Sequence, residues 1–226
     1  MKIHQVSQHV FHLSKKFPDA PSSLTALVTD EGVVLVDTGS AEMAEDLRAA
    51  VASWGFGKPA YIISTHEHTD HIGCNDAFGP GPIVIAHCNT RPRLTSGHYI
   101  IEEIPEFALP CLEIRDETIL RFGGEQIRII PAPGSHTDND VIVHFVEENV
   151  ACLSDLFYGK SMFPSVDAIS GDIDMYPSCV EKALHALPQG VIVTPGHSQE
   201  TFTWDDVNES HGMLVATIAK VREAAK

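Results

Sequence analysis

The stretch THEHTDH, residues 65–71, places three histidines and an aspartate directly after a short apolar run. Side chains at positions i and i+2 of an extended segment point to the same side, so His66 and His68 can bind one ion together. Asp70 and His71 follow at once and can turn toward a neighbouring ion. Imidazoles and carboxylates without a thiolate suit zinc, although iron and manganese accept the same ligands. The stretch therefore predicts a metal site at the C-terminal end of a strand.

Three more candidate ligands each follow an apolar run later in the chain. They are His136 in PAPGSHTDND, Asp155 in ACLSDLFYG and His197 in VIVTPGHSQ. The ends of several strands can converge on one cleft, so residues that are distant in sequence can form a single site there. Together with the residues of the HxHxDH stretch they give seven ligands, which suit two ions better than one. The other histidines match no motif and are expected on the surface or in the core: His4, His9, His12, His87, His98, His144, His185 and His211.

The elements around these ligands alternate in two similar halves. Apolar alternation and β-branched runs predict the strands, and apolar residues at helical spacing predict the helices. The predicted strands are Ile3–Leu13, Leu24–Val28, Val33–Val36, Tyr61–Ser64, Ile83–Ala86, Ile119–Phe122, Ile127–Ile130, Val141–Val146, Val150–Leu153 and Val191–Thr194. The predicted helices are Ala41–Trp54 with Ser40 as N-cap, Pro177–Leu187 and Asp205–Lys226.

Two halves of this kind predict an α/β protein in which two sheets pack together with helices outside, a four-layer αββα sandwich. The length of 226 residues suits one domain over residues 1–226. The segment from His87 to Glu117 has no clear pattern beyond a partial helix over Arg91–His98.

Composition narrows the possible partners and location. A formal net charge of −16 and the lack of a basic cluster argue against nucleic acid and anionic membranes as partners, which leaves a small-molecule substrate. The first residues lack the apolar core of a signal peptide or membrane helix, and five scattered cysteines suggest no disulfide framework. We therefore expect a cytoplasmic protein; its oligomeric state stays open.

The order of these residues resembles the metallo-β-lactamase superfamily over essentially the whole chain, including VVLVDTGS around Asp37. The resemblance implies that Asp155 bridges two metal ions and that Asp37 supports the site from outside. It also implies that Tyr158 corresponds in position to a tyrosine of the lactonase branch that touches the substrate carbonyl; packing in the core is the alternative. The implied ligand sets are His66, His68 and His136 for one ion and Asp70, His71 and His197 for the other.

Hydrolysis is the reaction that such a site predicts. Two zinc ions lower the pKa of a bridging water and polarise the oxygen under attack, and Asp70 could orient that water and relay its proton. The sequence shows no GxSxG, GxGxxG or Walker motif that would indicate a different catalytic mechanism. The favoured substrates are small esters, lactones or thioesters. β-Lactams are disfavoured, because antibiotic-cleaving members of the family carry Cys or Ser where this chain has Asp155.

Other functions stay open at this stage. One is a phosphodiester hydrolase, and another is a single-iron thiol or persulfide dioxygenase that would use His66, His136 and Asp155. A third is a metal-stabilised binding module, since a bound metal can contribute folding free energy without chemistry.

The loop from Leu156 to Pro177 is the expected source of substrate contacts, because it begins at the bridging aspartate. Its aromatic and apolar side chains could form the wall of a pocket, and Lys160 could meet a substrate carboxylate. Cys74, next to the HxHxDH stretch, is expected to pack in the core rather than bind metal. The expected pocket residues are Phe157, Tyr158, Met162 and Phe163.

Overall fold

The computed structural model describes residues 1–96, 103–160 and 162–225, which form two sheets flanked by helices. In the first sheet seven strands lie side by side in chain order. The first four strands pair antiparallel, and the fourth to the seventh pair parallel. They are β1 (Lys2–Gln5), β2 (Val10–Lys15), β3 (Ser22–Thr29), β4 (Gly32–Val36), β5 (Tyr61–Ile63), β6 (Ile83–His87) and β7 (Leu112–Ile114).

The second sheet is formed by the later part of the chain. Its six strands are β8 (Thr118–Phe122), β9 (Glu125–Pro131), β10 (Val141–Phe145), β11 (Val150–Ser154), β12 (Ile192–Pro195) and β13 (Phe202–Thr203). They lie in the order β13-β12-β11-β10-β9-β8, with β11 and β12 parallel and the other neighbours antiparallel. The parallel pair β11–β12 is important for the site described below, because the segments that carry Asp155 and His197 leave the sheet at the same end of this pair.

The helices are α1 (Ala44–Ser53), α2 (Thr69–Ile72), α3 (Thr90–Thr95), α4 (Tyr176–Ala186) and α5 (Trp204–Ala224). A 3-10 turn, Ala41–Met43, precedes α1; Ser40 occupies its N-cap position, but its side chain makes no capping hydrogen bond. Helix α5 has a full capping box between Thr203 and Asp206. In the described part of the chain, no helix is both long enough and apolar enough to cross a membrane.

Strand alternation explains the first two layers. Successive residues of a strand point to opposite faces, so Val34 and Val36 of β4 face the second sheet while Val33 and Leu35 face outward. The outward pair packs with Leu47 and other apolar residues of α1. Helix α1 therefore covers the outer face of the first sheet.

The second sheet is covered in the same way. Val141 and Val143 of β10 face the first sheet, whereas Ile142 between them faces outward. Ile142 belongs to a cluster with Tyr176 of α4 and Val207 of α5. The result is helix, sheet, sheet, helix, so the predicted four-layer αββα fold is confirmed.

Several predicted elements need correction. The single strand predicted over Ile3–Leu13 is a hairpin of β1 and β2, because the chain turns where the amide of Val6 donates to the carbonyl of Val10 at 2.8 Å. Strands β7 and β13 were not predicted. The first is a three-residue strand with two exposed residues and the second has two residues, so neither has readable periodicity. Helix α3 ends at Thr95, with Ser96 as its C-cap residue; positions 97 and 98 of the predicted Arg91–His98, like Lys226, lie outside the described residues.

Candidate metal centre

The register of the sheets brings the site segments together at one edge. In the parallel pair β4–β5, Val36 lies opposite Ile63, so Asp37 leaves the sheet beside the segment that begins the HxHxDH stretch. In the pair β11–β12, Ser154 lies opposite Pro195, so Asp155 leaves the sheet beside the segment of His197.

Hydrogen bonds join the two sheets at this edge. The hydroxyl groups of Thr25 and Thr194 lie 2.8 Å apart, and the Ser23 hydroxyl donates to the carbonyl of Pro195 at 2.8 Å. The amide of Val141 donates to the carbonyl of Thr65 at 2.9 Å. These bonds fix segments that carry ligands from different sheets relative to one another.

All seven residues predicted as ligands lie together. Their donor atoms form three overlapping groups, and within each group the atoms lie no more than 4.8 Å apart. The groups are His66, His68 and His136; His66, His71 and Asp155; and Asp70, His71 and His197. The first and third match the two implied ligand sets, and the second joins them through Asp155.

The hydrogen-bonding state of the innermost atoms shows that a metal fits here. His66 Nε2, His71 Nε2 and Asp155 Oδ1 are buried, and none of them makes a hydrogen bond of normal geometry with a described residue, although His71 Nε2 and Asp155 Oδ1 lie only 3.2 Å apart. Burying polar atoms without a partner costs free energy. Three such atoms facing one another are explained if they bind a cation.

Asp155 lies in the middle of the histidines. Its Oδ2 lies 3.1 Å from His197 Nε2 and 3.4 Å from His136 Nε2, and its Oδ1 lies 3.2 Å from His71 Nε2. Burial opposes ionisation of this carboxyl group, but His71 and His197 outweigh burial and hold its pKa well below the ordinary value. For His71, burial is likewise outweighed by Asp155 and Asp37, so its pKa lies well above the ordinary value. The centre thus favours an ionised aspartate at the position expected for a bridge.

Asp37, expected to support the site, contacts it directly. Its Oδ2 accepts hydrogen bonds from His71 Nδ1 and from the Thr65 hydroxyl, both at 2.8 Å, and its Oδ1 accepts from the Thr65 amide at 2.8 Å. The Ser154 hydroxyl donates to the same carboxylate at 3.2 Å. Asp37 (φ 63°) and Ser154 (φ 46°) both have left-handed backbone, a conformation that costs free energy in non-glycine residues and is often found at functional sites.

Hydrogen bonds also orient the other imidazoles. The Nδ1 atoms of His66, His136 and His197 lie 3.1 Å from the Thr65 hydroxyl, 3.0 Å from the Ser165 carbonyl and 2.8 Å from the Pro21 carbonyl, respectively. Their Nε2 atoms are thereby left for the centre. Such contacts fix the tautomer of a ligating histidine. Sequence reasoning missed these partners because carbonyls and single hydroxyls carry no motif.

Tyr158 is buried at the centre. Its hydroxyl donates to Asp155 Oδ2 at 2.7 Å and lies 2.8 Å from the Ser165 hydroxyl. Its ring stacks on His197 with centroids 5.2 Å apart. Burial and the charge of Asp155 raise the pKa of Tyr158, so the phenol stays protonated and acts as a donor.

Two other residues of the 156–177 loop, Phe157 and Lys160, depart from the prediction. Phe157 does not form the wall of a pocket: it is buried in the core and packs against Phe202. Lys160 makes ion pairs with Asp206 at 2.6 Å and Glu209 at 3.3 Å, so helix α5 already binds its ammonium group. Met162 is half-buried and Phe163 is exposed.

Cys74 is buried in the cluster under α1, as predicted, and burial raises the pKa of its thiol to about 12. It therefore packs in the core.

A cavity of about 800 Å³ opens beside Asp70, whose side chain is 40% exposed. Its walls include the acidic residues Glu42, Asp76 and Glu103 and, among its apolar residues, Ile72. None of the described residues that line it is basic. The cavity therefore places a partly apolar, negatively charged surface next to one of the ligands.

Comparison with known proteins identifies the family of the chain. A sequence model of the metallo-beta-lactamase superfamily matches residues 18–197. An uncharacterised protein of Aquifex aeolicus is 25% identical over 197 residues, which is 83% of this chain and 90% of that protein. The hydroxyacylglutathione hydrolase of Rhizobium etli is 26% identical over 178 residues, covering 75% of this chain and 62% of the enzyme.

The N-acyl homoserine lactonase of Bacillus cereus is 32% identical over 114 residues, covering 39% of this chain and 44% of the lactonase. The chain thus spans less than two thirds of either named enzyme. Among solved structures, a metallo-beta-lactamase from Pontibacter korlensis superposes with a TM-score of 0.80 at 19% identity, covering 94% of this chain and 98% of that protein. This likeness shows the shared fold. Because the family's sequence pattern extends over well more than half of the chain, the protein belongs to the metallo-beta-lactamase superfamily.

Proposed function

We propose that this protein is a metal-dependent hydrolase of small, uncharged carbonyl compounds, with esters, lactones and thioesters as its substrate class. The observation that carries the proposal is the set of buried, unpartnered donor atoms around Asp155. Two zinc ions are the proposed cofactors, held by the three overlapping donor groups. When bound, zinc supplies an activated water and polarises the oxygen under attack.

The residues of the chain would divide the remaining work. Asp155 would hold the two ligand sets at a fixed separation, because its Oδ1 lies 3.2 Å from His71 of one set and its Oδ2 lies 3.4 Å from His136 of the other. Asp70 lies where the centre meets the cavity, with its Oδ2 3.5 Å from His197 Nε2. A half-exposed carboxylate there can accept a proton from the attacking water and pass it to the leaving group. Tyr158 donates to Asp155 and keeps that carboxylate oriented.

We infer that the substrate binds in the cavity beside Asp70, and the charge of this cavity then supports an uncharged substrate. Glu42, Asp76 and Glu103 line it without a basic counterpart among the described lining residues. A phosphodiester or a polycarboxylate would be repelled there, whereas a neutral ester or lactone would not. Two of the relatives are named for hydrolysing a thioester or a lactone, which supports attack on a carbonyl carbon.

A substrate panel tests the proposal. The zinc-loaded protein is assayed with aryl esters, lactones, thioesters, β-lactams and phosphodiesters, with His66→Ala as the inactive variant and the exposed His185→Ala as its control. We expect turnover of neutral carbonyl substrates that His66→Ala abolishes and His185→Ala retains. Equal rates for wild type and His66→Ala after metal reloading would contradict the proposal.

Metal analysis distinguishes the proposed zinc hydrolase from the alternative, a single-iron dioxygenase. Protein from an unsupplemented host is analysed for zinc and iron, and its oxygen consumption is measured with a thiol or persulfide substrate. We expect zinc in excess of iron and no oxygen consumption. One iron per chain with oxygen uptake would show a dioxygenase instead.

A further inference from the structure

Residues 165–172, here called the anchor loop, dock onto the segment that carries His136. The Ser165 carbonyl lies 3.0 Å from His136 Nδ1, and the amide of Asp167 donates to the His136 carbonyl at 2.8 Å. The amide of Asp172 donates to the carbonyl of Ser135 at 3.1 Å. A Cβ atom on Gly171 would collide with the same His136 carbonyl, so the two backbones approach as closely as glycine allows.

Within the anchor loop, the carboxylate of Asp167 is fixed by its own turn. Its Oδ1 accepts hydrogen bonds from the amides of Ile169 at 2.8 Å and Ser170 at 2.7 Å and from the Ser170 hydroxyl at 3.0 Å. The other oxygen, Oδ2, lies 3.3 Å from Nε2 of His68. The Asp167 side chain is 13% exposed and that of His68 is 21% exposed, so solvent competes weakly for this contact.

His68 is oriented in the opposite sense from the other ligating histidines. Its Nε2 faces Asp167, and its Nδ1 faces the centre, 3.0 Å from His136 Nε2. A carboxylate accepts a hydrogen bond but cannot donate one when ionised. A proton held on Nε2 leaves the lone pair on Nδ1 free to bind metal.

We propose that Asp167 is a positioning residue of the metal centre, which holds His68 in the tautomer with the proton on Nε2 and so presents Nδ1 to the ion of the His66, His68 and His136 group. The inference rests on the metal centre of the proposed function. It extends that centre to a carboxylate outside the seven ligands and Asp37, on a loop that no motif marks.

The buried carboxylate of Glu67, which lies within the HxHxDH stretch, contacts the anchor loop and helps to fix its position. Glu67, between His66 and His68, is fully buried. Its Oε1 lies 3.3 Å from the Ser170 hydroxyl, and its Oε2 accepts from Asn139 Nδ2 at 2.7 Å. The Ser170 hydroxyl thus lies between Glu67 and Asp167, so movement of the loop would move the acceptor of His68.

Asp167→Asn tests this role with little change of shape. The amide oxygen of asparagine can still accept from the loop amides, but its nitrogen then faces His68 Nε2 and cannot accept. The matched control is Asp172→Asn in the same loop, because Asp172 Oδ1 accepts from the amides of Asp174 at 2.8 Å and Met175 at 3.2 Å rather than from a histidine.

The readouts are zinc affinity, by competition with a chelator, and the imidazole nitrogen signals of zinc-loaded, 15N-labelled protein. We expect Asp167→Asn to weaken one zinc site by about 10- to 100-fold, the range seen when an outer partner of a ligand is lost. The second site and the Asp172→Asn control should keep wild-type affinity.

The wild-type spectrum tests the tautomer without any variant: His68 should carry its proton on Nε2. A proton on Nδ1 instead, or wild-type affinity at both sites in folded Asp167→Asn, would overturn the role of Asp167 while leaving the metal centre intact. Wild-type protein that binds no zinc would overturn the metal centre and this inference together, which keeps the two failures distinct.

Discussion

Nδ1 of His71 donates a hydrogen bond of 2.8 Å to Oδ2 of Asp37, and both side chains are almost fully buried. Asp37→Asn would place an amide where this acceptor lies while keeping a residue that tolerates the left-handed backbone at position 37. We expect zinc affinity to fall by about 10- to 100-fold with little loss of fold. Chelator competition and circular dichroism, read together, measure both.

The control for this change is Asp30→Asn, in the exposed turn before β4. It alters the net charge equally but lies outside the site. If Asp30→Asn lost as much zinc affinity as Asp37→Asn, the loss would be due to the change in net charge rather than to the contact with His71.

A second prediction concerns a glycine rather than a charged residue. A Cβ atom on Gly196 would collide with the carboxylate of Asp155. We therefore expect Gly196→Ala to displace that carboxylate and to reduce both metal content and hydrolysis while the sheets remain folded. Gly190→Ala is the matched control, because its Cβ would meet its nearest neighbour, Asn149, at an ordinary 3.9 Å. Full zinc content in Gly196→Ala would show that the site can adapt.

Tyr158→Phe removes the hydroxyl that donates to Asp155 and keeps the ring stacked on His197. The expected result is a lower turnover number at unchanged metal content, because Asp155 keeps its histidine partners but loses one donor that orients it. Steady-state kinetics and metal analysis of the same preparation check this. An unchanged turnover number would assign Tyr158 to packing alone.

The buried His12 should make stability sensitive to acid. Burial lowers its pKa to about 4 from the ordinary 6.5, although its Nε2 lies 2.8 Å from the Ser198 carbonyl. The stabilising contribution is complete above pH 6.5 and is lost as the pH falls toward 4, because the unfolded chain takes up a proton that the folded chain excludes.

Between about pH 7.5 and about pH 5 this loss amounts to about 2 kcal/mol of unfolding free energy. His12→Gln should therefore lose about that much less stability than wild type over this range, as measured by urea unfolding at both pH values. The exposed His185→Gln should behave as wild type. Equal acid sensitivity of His12→Gln and wild type would contradict the assignment.

The sequence was sufficient for the layers and for the set of residues that meet at the centre. The apolar runs along β4 and β10 are easy to recognise because both faces of these strands are buried. The predicted ligands follow four other strands with apolar runs, β5, β9, β11 and β12. Strand ends meet at one edge in this fold, so residues far apart in the chain could be grouped in advance. Whether those residues bind zinc stays a prediction.

What the sequence could not provide are contacts made by the tertiary structure. The ion pair of Lys160 with Asp206 depends on where α5 packs, and nothing near Lys160 in sequence indicates it. The contact of Asp167 with His68 depends on a loop that folds back over the site. Short edge strands such as β7 have exposed side chains, so they lack the burial pattern that makes a strand recognisable.

The donor groups draw on both sheets, with His66 and His71 from the first and His136, Asp155 and His197 from the second. An ion bound between them is a crosslink between two parts of the sandwich, and the described cysteines are all free thiols. Since a ligand that binds only the folded state raises its stability, the abundance of intact protein would follow the supply of metal. Protein made under metal starvation would then open at this edge, and be degraded, sooner than protein with bound metal.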